Sequence, residues 1–531
     1  MSAHATDAVV GTGPLTRLVL RRDRVRLPLW LIGITVLTGV SARAVAALYD
    51  TPAERAGYAA TVQDSAVSRL FGGVPRGVDT IGGILAFEIG SVASVTVALM
   101  AVFLVVRHTR GEEESGRAEL VRSTVTGRHA ALLSTVVVSL AACVAAAALV
   151  AGIMALSGAD PGPSVLFGCG VGGVGLVFTS LTAVAVQVAA STRRALGIAL
   201  AALLAFFLLR GYGALDGTWW TWTSPFGWQD ELRPFGDGAR WWPLALSLAG
   251  TVVALLVAAW LAAHRDFGAG LVAERAGPAR ARAWLATPWG LALREQRGLM
   301  AAWAAGLVVT AAVFGAVGNE VRELVESNAA VASILGGTDD VVLGYLSYVV
   351  TFLGVLVSAF AVASALRLRH GEVAGQAQTV LATGVSRDRW AWSAIAVTVA
   401  GVVGVAAVVA LTFGVFHALV TGEVDMIPRL WGAVMATVPA MLLLASVVVA
   451  LHGWLPRWTL LAWAGPMWAF IQAYLGDLLD LPGWIAGLSP FEHLPALPAE
   501  SFEAGPALVQ TAVAVALTVV GVAGLRRRDL S

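Results

Sequence analysis

The chain has 531 residues, of which 58% are hydrophobic and only 13% are charged. Soluble domains have roughly a quarter of their residues charged, so this composition excludes a soluble globular protein and predicts a chain that lies mostly within a lipid bilayer. The formal net charge of +1 says little, because in a membrane protein the placement of charge matters more than its sum. All 35 basic residues are arginine, and the absence of lysine excludes a Walker A phosphate-binding loop.

Long apolar runs recur along the whole chain. An α-helix needs roughly 20 apolar residues to cross the hydrocarbon core, and runs of this length predict an all-α polytopic membrane protein with about twelve transmembrane helices. The predicted spans are 28–48, 80–106, 130–157, 164–191, 195–214, 242–263, 299–318, 342–366, 390–418, 430–451, 456–476 and 506–525. Basic amphipathic segments at 14–26 and 287–298 precede the first and seventh spans, a pattern typical of helices that lie in the membrane interface.

The distribution of arginine predicts the orientation. If the N-terminus is cytoplasmic, 26 of the 35 arginines fall on the cytoplasmic side, including Arg457 at the cytoplasmic edge of the span at 456–476. Seven fall in external segments, and two, Arg43 and Arg210, fall further within spans. Positively charged residues are enriched on the cytoplasmic side of membrane proteins. We therefore expect a multi-pass protein of the bacterial cytoplasmic (inner) membrane with both termini in the cytoplasm.

The sequence also repeats itself. Short motifs recur at offsets of 263 to 273 residues: Leu20–Arg24 and Leu293–Arg297, Phe71–Gly73 and Leu335–Gly337, Ser224–Phe226 and Ser489–Phe491, and Arg265–Phe267 and Arg528–Leu530. Six spans per half is an even number, so the two halves should be parallel and related by an axis along the membrane normal. The predicted organisation is a first transmembrane half at 1–265, a cytoplasmic linker at 266–284 and a second transmembrane half at 285–531.

The loop after the second predicted span is the most highly charged, and it has a counterpart in the second half. Residues 107–120 align with 367–378, which pairs Glu113 with Glu372 and Gly116 with Gly375 at an offset of 259. A solvated, charge-balanced loop would explain the charges alone, whereas the recurrence favours a docking element for a cytoplasmic partner. The predicted coupling residues are Arg110, Glu112, Glu113, Glu114, Gly116, Arg117, Glu119, Glu372 and Gly375.

The sequence of this loop leads to three more specific predictions. The four glutamates Glu112, Glu113, Glu114 and Glu119 should present an acidic surface, and Gly116 should allow a turn or a close backbone approach. The second loop has lost most of its charge. Reversal of Glu113 should therefore do more harm to transport than reversal of Glu372.

Three ionisable residues, Arg43, Glu88 and Arg210, lie in or near predicted spans. They can be interpreted as the polar lining of a substrate path, or as a Glu–Arg pair and side chains that reach to the headgroups. A glycine-rich stretch at 170–175 matches the dinucleotide-binding pattern, but no strand precedes it, so close helix packing is the better interpretation. Helix breaks and external re-entrant elements are predicted at Ser224, Pro225, Phe226, Ser489, Pro490 and Phe491.

On Arg110–Leu120, the two Ser-Pro-Phe segments and the closing Arg-Asp pairs, the chain resembles the permease subunits of ABC-2-type exporters. More narrowly, it is similar to the actinobacterial polyketide-antibiotic exporters, including the tetronasin-resistance permeases, in which two six-span halves are fused. The resemblance implies the membrane half of an ATP-driven efflux pump that moves small hydrophobic or amphipathic compounds.

The resemblance also implies the partners. Two copies of a separate ABC ATPase subunit would dock on the cytoplasmic face and bind ATP and Mg, while this chain, embedded in membrane lipids, would bind no cofactor or metal and catalyse no reaction itself. No nucleic-acid partner is expected.

Two other classes remain open. A proton-coupled secondary multidrug transporter would need an acidic residue at mid-depth in a span, and only Glu88 comes close. A membrane-embedded lipid-modifying enzyme would need acid, base or metal-binding side chains gathered at one interface. The sequence shows no such spaced set, and Glu492-His493 lacks a second pair of ligands.

Overall fold

The computed structural model describes residues 8–63, 66–265, 270–271, 280–327, 338–479 and 482–528, and within these ranges the chain is helical with no strand. The chain divides into two compact units, Met1–Gly277 and Pro278–Ser531. This division lies inside the predicted linker of residues 266–284. The repeat motifs at 335–337, 266–267 and 529–530 lie outside the described residues.

Unit 1 contains twelve described α-helices, joined by short turns and one 3₁₀ segment. They are α1 (Thr12–Arg22), α2 (Arg26–Leu48), α3 (Pro52–Gln63), α4 (Ala66–Gly72), α5 (Ile81–His108), α6 (Arg110–Glu114), α7 (Arg117–Arg122), α8 (Ala130–Leu156), α9 (Pro161–Val188), α10 (Thr192–Asp216), α11 (Pro225–Asp230) and α12 (Pro243–His264), with the 3₁₀ segment at Trp219–Thr223.

Unit 2 follows a similar order over its described residues. Its α-helices are α13 (Pro288–Ser327), α14 (Thr338–Ala365), α15 (Arg367–Val373), α16 (Gln376–Leu381), α17 (Arg387–Thr421), α18 (Met426–Ala436), α19 (Val438–Trp454), α20 (Ala464–Leu479), α21 (Gly483–Ala486) and α22 (Ala504–Arg527), with 3₁₀ segments at Ala283–Ala286, Pro456–Trp463 and Pro490–His493.

Eleven helical segments among the described residues are long and apolar enough to cross a membrane. The expected fold class, an all-α polytopic membrane protein, is confirmed. Eleven of the predicted spans have a matching long apolar segment, with ends that differ by several residues.

The predicted span at 456–476 is the exception. The chain forms a 3₁₀ segment at Pro456–Trp463 and then the sixteen-residue helix α20. Pro466 explains the change, because proline has no N–H to bond the carbonyl of Ala462 and so disfavours an α-helix that begins earlier.

The two predicted interfacial segments also differ from each other. In unit 1, α1 ends at Arg22 and is separated from the first span, as expected for 14–26. In unit 2, the segment at 287–298 is not separate, because α13 runs without a break for 40 residues. Pro28 lies in the first turn of α2 and prevents continuation from α1, whereas the repeat places Ala301 at that position and the helix continues.

The core of unit 1 is built around α5 and α9, its two most buried long helices. Glycines of α9 allow the neighbouring helices to approach closely. A Cβ atom at Gly172 would lie 2.7 Å from Cβ of Ala147, and one at Gly175 would lie 2.5 Å from Cγ1 of Val97 and 2.7 Å from Sγ of Cys143. The glycine-rich stretch therefore serves helix packing, as the sequence indicated.

We expect Gly175→Ala to destabilise unit 1 by about 1–3 kcal/mol, because the added methyl group overpacks a filled contact. Thermal unfolding of the purified chain in detergent measures the effect. Gly152→Ala on α8 is the matched control, since a Cβ atom there meets nothing within 4 Å. Equal melting temperatures for the two variants would contradict close packing at Gly175.

Candidate functional site: two helix–glycine–helix corners

The charged loop of unit 1 forms a sharp corner between two short helices. The helix α6 ends after Glu114, and α7 begins after Gly116, whose φ of 73° lies in the left-handed region. Glycine adopts this conformation without the steric cost that other residues incur. We call residues 110–122 the first corner, and the end of unit 1 that carries it the corner end.

Three consecutive glutamates of the first corner each bind a different part of unit 1. Glu112 accepts a hydrogen bond from Arg22 of α1 at 2.5 Å, and Glu114 accepts one from the backbone N–H of Thr192, at the start of α10, at 2.7 Å. Glu113 lies between them and binds Arg265, just after α12, through two hydrogen bonds of 2.5 and 3.2 Å. The corner is thereby fixed to α1 and to the ends of two spans.

Arg110 anchors the first corner from inside. Its side chain is 1% exposed; Nε donates to the carbonyl of Val186 at 2.6 Å, and Nη1 donates to Glu113 at 2.8 Å. A buried guanidinium is stable only when acceptors surround it. Arg110 therefore ties the corner to the end of α9.

The helix α1 has a second attachment at Asp23, the residue that directly follows it. Asp23 is buried and accepts hydrogen bonds from Arg107 at 2.6 Å and from His108 at 2.7 Å. Burial opposes ionisation, but the hydrogen bond and charge of His108 and the charge of Arg107 hold the pKa of Asp23 below its usual range. The contact joins α1 to the end of α5.

Unit 2 has a corner of the same design. The helices α15 and α16 meet at Gly375, whose φ is 75°, and we call residues 367–381 the second corner. Glu372 binds Arg528, just after α22, through hydrogen bonds of 2.8 and 2.5 Å, and it lies 3.1 Å from Nε2 of His452. Glu113 and Glu372, which the repeat pairs, thus each bind the arginine that follows the last span of their own unit.

The prediction of an acidic surface is wrong for Glu112 and Glu113. Arginine side chains form ion pairs with both carboxylates, and the glutamate side chains are only 16% and 12% exposed. The free surface of the first corner is instead mixed and partly apolar: Glu119 is exposed beside Leu120, which is 72% exposed. Arg117 is also exposed, and it binds Glu112 at 3.0 Å. In the second corner Val373 is 74% exposed.

The opposite end of unit 1, which we call the far end, is organised by Arg210. This side chain is buried and donates to Asp230 at 2.5 and 3.1 Å, to the carbonyls of Phe71 at 2.7 Å and Gly72 at 2.5 Å, and to Oγ of Ser91 at 2.9 Å. All of its donating nitrogens are occupied by protein acceptors. This geometry supports the structural interpretation of Arg210 and leaves it no free donor for a substrate.

Arg43 and Glu88, the other two ionisable residues predicted in spans, are both exposed. Within the described residues they form no ion pair with each other. Glu88 instead accepts a hydrogen bond from the hydroxyl group of Tyr58.

The two Ser-Pro-Phe segments both interrupt regular helix. Ser224 caps α11: its Oγ accepts from the N–H of Phe226 at 3.2 Å and donates to the carbonyl of Phe206 at 2.7 Å. Ser489 precedes the 3₁₀ segment that begins at Pro490, whose carbonyl accepts a hydrogen bond from Gln510 at 2.6 Å. The serines, prolines and phenylalanines of both segments are buried: Ser224, Pro225, Phe226, Ser489, Pro490 and Phe491.

Sequence reasoning did not identify the partners of the corner glutamates. Arg265 is 152 residues from Glu113, and Arg528 is 156 residues from Glu372. A signal was present nonetheless, because the two arginines recur at an offset of 263 and the two glutamates at 259. Among the described residues, no group of three or more His, Cys, Asp or Glu side chains could hold a metal ion.

These features define a class: a polytopic helical membrane protein made of two units, each with a helix–glycine–helix corner bound to the end of its last span. A family model described as "Multidrug efflux system permease Rv1217c, C-terminal domain" matches residues 12–265 and 285–526. The chain is also 38% identical, over 99% of its length and 96% of the relative's, to the multidrug efflux system permease protein Rv1217c of Mycobacterium tuberculosis (strain ATCC 25618 / H37Rv). It belongs to this family of multidrug efflux system permeases.

Proposed function

We propose that the chain is the permease subunit of an ATP-driven ABC exporter, of the ABC-2 type, that moves hydrophobic or amphipathic drugs out of the cell. The energy comes from a separate ABC ATPase, two copies of which dock on the two corners and bind ATP and Mg. The name of the M. tuberculosis relative supports multidrug efflux. The narrower likeness to the tetronasin-resistance permeases rests on the sequence motifs.

This proposal rests on the attachment of each corner to the ends of spans in its own unit. Movement of a partner against the first corner would pass through Glu113 and Arg265 to the end of α12, and through Glu114 to the start of α10. The second corner would transmit movement through Glu372 and Arg528 to the end of α22. A rigid corner with several fixed attachments converts a rigid-body movement of a partner into a movement of spans.

The exposed apolar side chains of the corners are the expected contacts. Leu120→Asp in the first corner should weaken copurification with the ATPase by ~30-fold or more, as loss of a central interface residue does. Pull-down of the cognate ATPase with the detergent-solubilised chain measures this. Leu156→Asp is the control, because Leu156 is 90% exposed at the far end of unit 1. Equal loss with both variants, or none with Leu120→Asp, would remove the corner from the docking surface.

The proposal requires the corners to face the cytoplasm. Reporter fusions after residues 115 and 380, in or beside the corners, should therefore report a cytoplasmic location, and fusions after residues 160, 235 and 485 an external one. An external signal at 115 or 380 would contradict docking by a cytoplasmic ATPase.

A further inference from the structure

The clearest unexplained feature of unit 1 is a carboxylate within a span. Glu88 lies seven residues after the start of α5, about 10 Å along the helix. Most of α5 is buried, but Glu88 is exposed, and Val92 and Phe103 continue the same open face at 50% and 40% exposure. An ionised group at this depth is costly unless water or a ligand reaches it.

Two tyrosines surround the Glu88 carboxylate. The Tyr58 hydroxyl donates a hydrogen bond to it, and the ring of Tyr49 packs on that of Tyr58 with centroids 4.9 Å apart. Burial and the charge of Glu88 raise the pKa of both phenols, so both remain protonated at neutral pH. No arginine or histidine among the described residues forms an ion pair with Glu88, although Arg43 is exposed on the neighbouring helix α2.

The architecture does not require an acid at this position. At the 259-residue offset of the two corners, the counterpart of Glu88 in unit 2 is Ser347 of α14. Ser347 is buried, and its hydroxyl group donates to the carbonyls of Leu343 at 2.9 Å and Ala496 at 3.0 Å. The same place in the repeat therefore accepts an uncharged side chain, and the charge at Glu88 needs a reason other than folding.

We propose that Glu88, Tyr49 and Tyr58 form a recognition site for amphipathic organic cations. This inference rests on the proposed efflux function and specifies one substrate class. A carboxylate supplies the opposite charge, aromatic faces attract cations through the ring quadrupole, and the apolar face of Val92 and Phe103 suits the hydrophobic body of such a compound. Lipophilic anions gain nothing from this arrangement and are repelled by the carboxylate.

Tetraphenylphosphonium and tetraphenylborate test the proposal, because they have the same shape and opposite charge. Binding of each is measured to the purified full-length chain in lipid nanodiscs, without ATP or an ATPase. The wild-type chain should bind the phosphonium more tightly than the borate. Glu88→Gln, which can still accept the hydrogen bond from Tyr58, should weaken phosphonium binding by ~10-fold or more, as expected for loss of a charge-assisted contact.

Asp79→Asn is the matched control, since Asp79 is an exposed carboxylate shortly before α5 and its removal changes the net charge equally. It should leave phosphonium binding unchanged. A second measurement uses only the wild-type chain: phosphonium, but not borate, should protect Glu88 from dicyclohexylcarbodiimide labelling, as read by mass spectrometry.

Equal phosphonium binding by wild type and Glu88→Gln, or labelling of Glu88 that phosphonium does not reduce, would overturn the cation site. Neither readout involves ATP. Loss of ATP-driven efflux would count against the proposed function, whereas loss of the phosphonium preference counts against this site alone.

Discussion

Removing the Glu372 carboxylate is expected to destabilise unit 2 severely. Glu372 is 4% exposed and is bound by Arg528 and His452, so Glu372→Ala leaves the partly buried guanidinium of Arg528 without its carboxylate. Breaking a buried ion pair by removing one partner typically costs about 3–5 kcal/mol. Arg528→Ala should cost a similar amount, and the double substitution should cost less than the sum, because the two residues act as one contact. Thermal unfolding in detergent measures all three.

An exposed ion pair in the same unit is the control. Asp388 binds Arg526 at 2.6 Å, but the two side chains are 38% and 61% exposed, so Asp388→Ala should cost at most about 1 kcal/mol. Because the Glu372 side chain is 4% exposed and that of Glu113 is 12% exposed, we expect Glu372 to contribute at least as much to stability. The expectation that reversal of Glu372 harms transport less than reversal of Glu113 stays a prediction. Additive losses in the double variant would show that Glu372 and Arg528 do not act as a pair.

Replacing Arg210 is expected to unfold the far end of unit 1. Arg210→Met keeps the length of the side chain but leaves Asp230 and the carbonyls of Phe71 and Gly72 without their donor. These groups hold α4 and α11 against the helix α10, and the expected loss is about 3–5 kcal/mol. Limited proteolysis should then cut within 66–80 and 217–242 before it cuts the corner end.

Arg43→Met provides the comparison, because Arg43 is also an arginine within a span but is exposed. It should leave stability and the proteolysis pattern nearly unchanged. If Arg210→Met behaves like Arg43→Met, the bonds around Arg210 do not hold the far end together.

Hydropathy and repetition were sufficient to predict much of this fold. Apolar runs and charge are local properties, so they located eleven spans. Gly116 indicated a turn, and the structure contains one there and another at its aligned partner Gly375. The two predictions of helix extent that were wrong are each explained by a single residue. Pro466 shortens the predicted eleventh span to a sixteen-residue α-helix, and Ala301 in place of Pro28 merges the second interfacial segment with its span.

The direction in which a side chain points could not be predicted in the same way. Glu112 and Glu113 have the sequence signature of a solvated acidic surface, but folding brings Arg22 and Arg265 from distant parts of the chain to meet them. A single sequence shows where the charged residues lie along the chain. It does not show which of them form ion pairs with residues from distant parts of the chain. Arg210 is a similar case: its position in a span predicted either a pathway or an ion pair, and only the surrounding acceptors decide between them.

Transport by reconstituted vesicles tests the central claim most directly. The chain is inserted into liposomes with or without its cognate ABC ATPase, and movement of a fluorescent amphipathic drug is followed after addition of ATP or after imposition of a pH gradient. We predict transport only when both the ATPase and ATP with Mg are present, and no ATP hydrolysis by the chain alone. Transport driven by the pH gradient in the absence of the ATPase would contradict the account and favour a proton-coupled transporter.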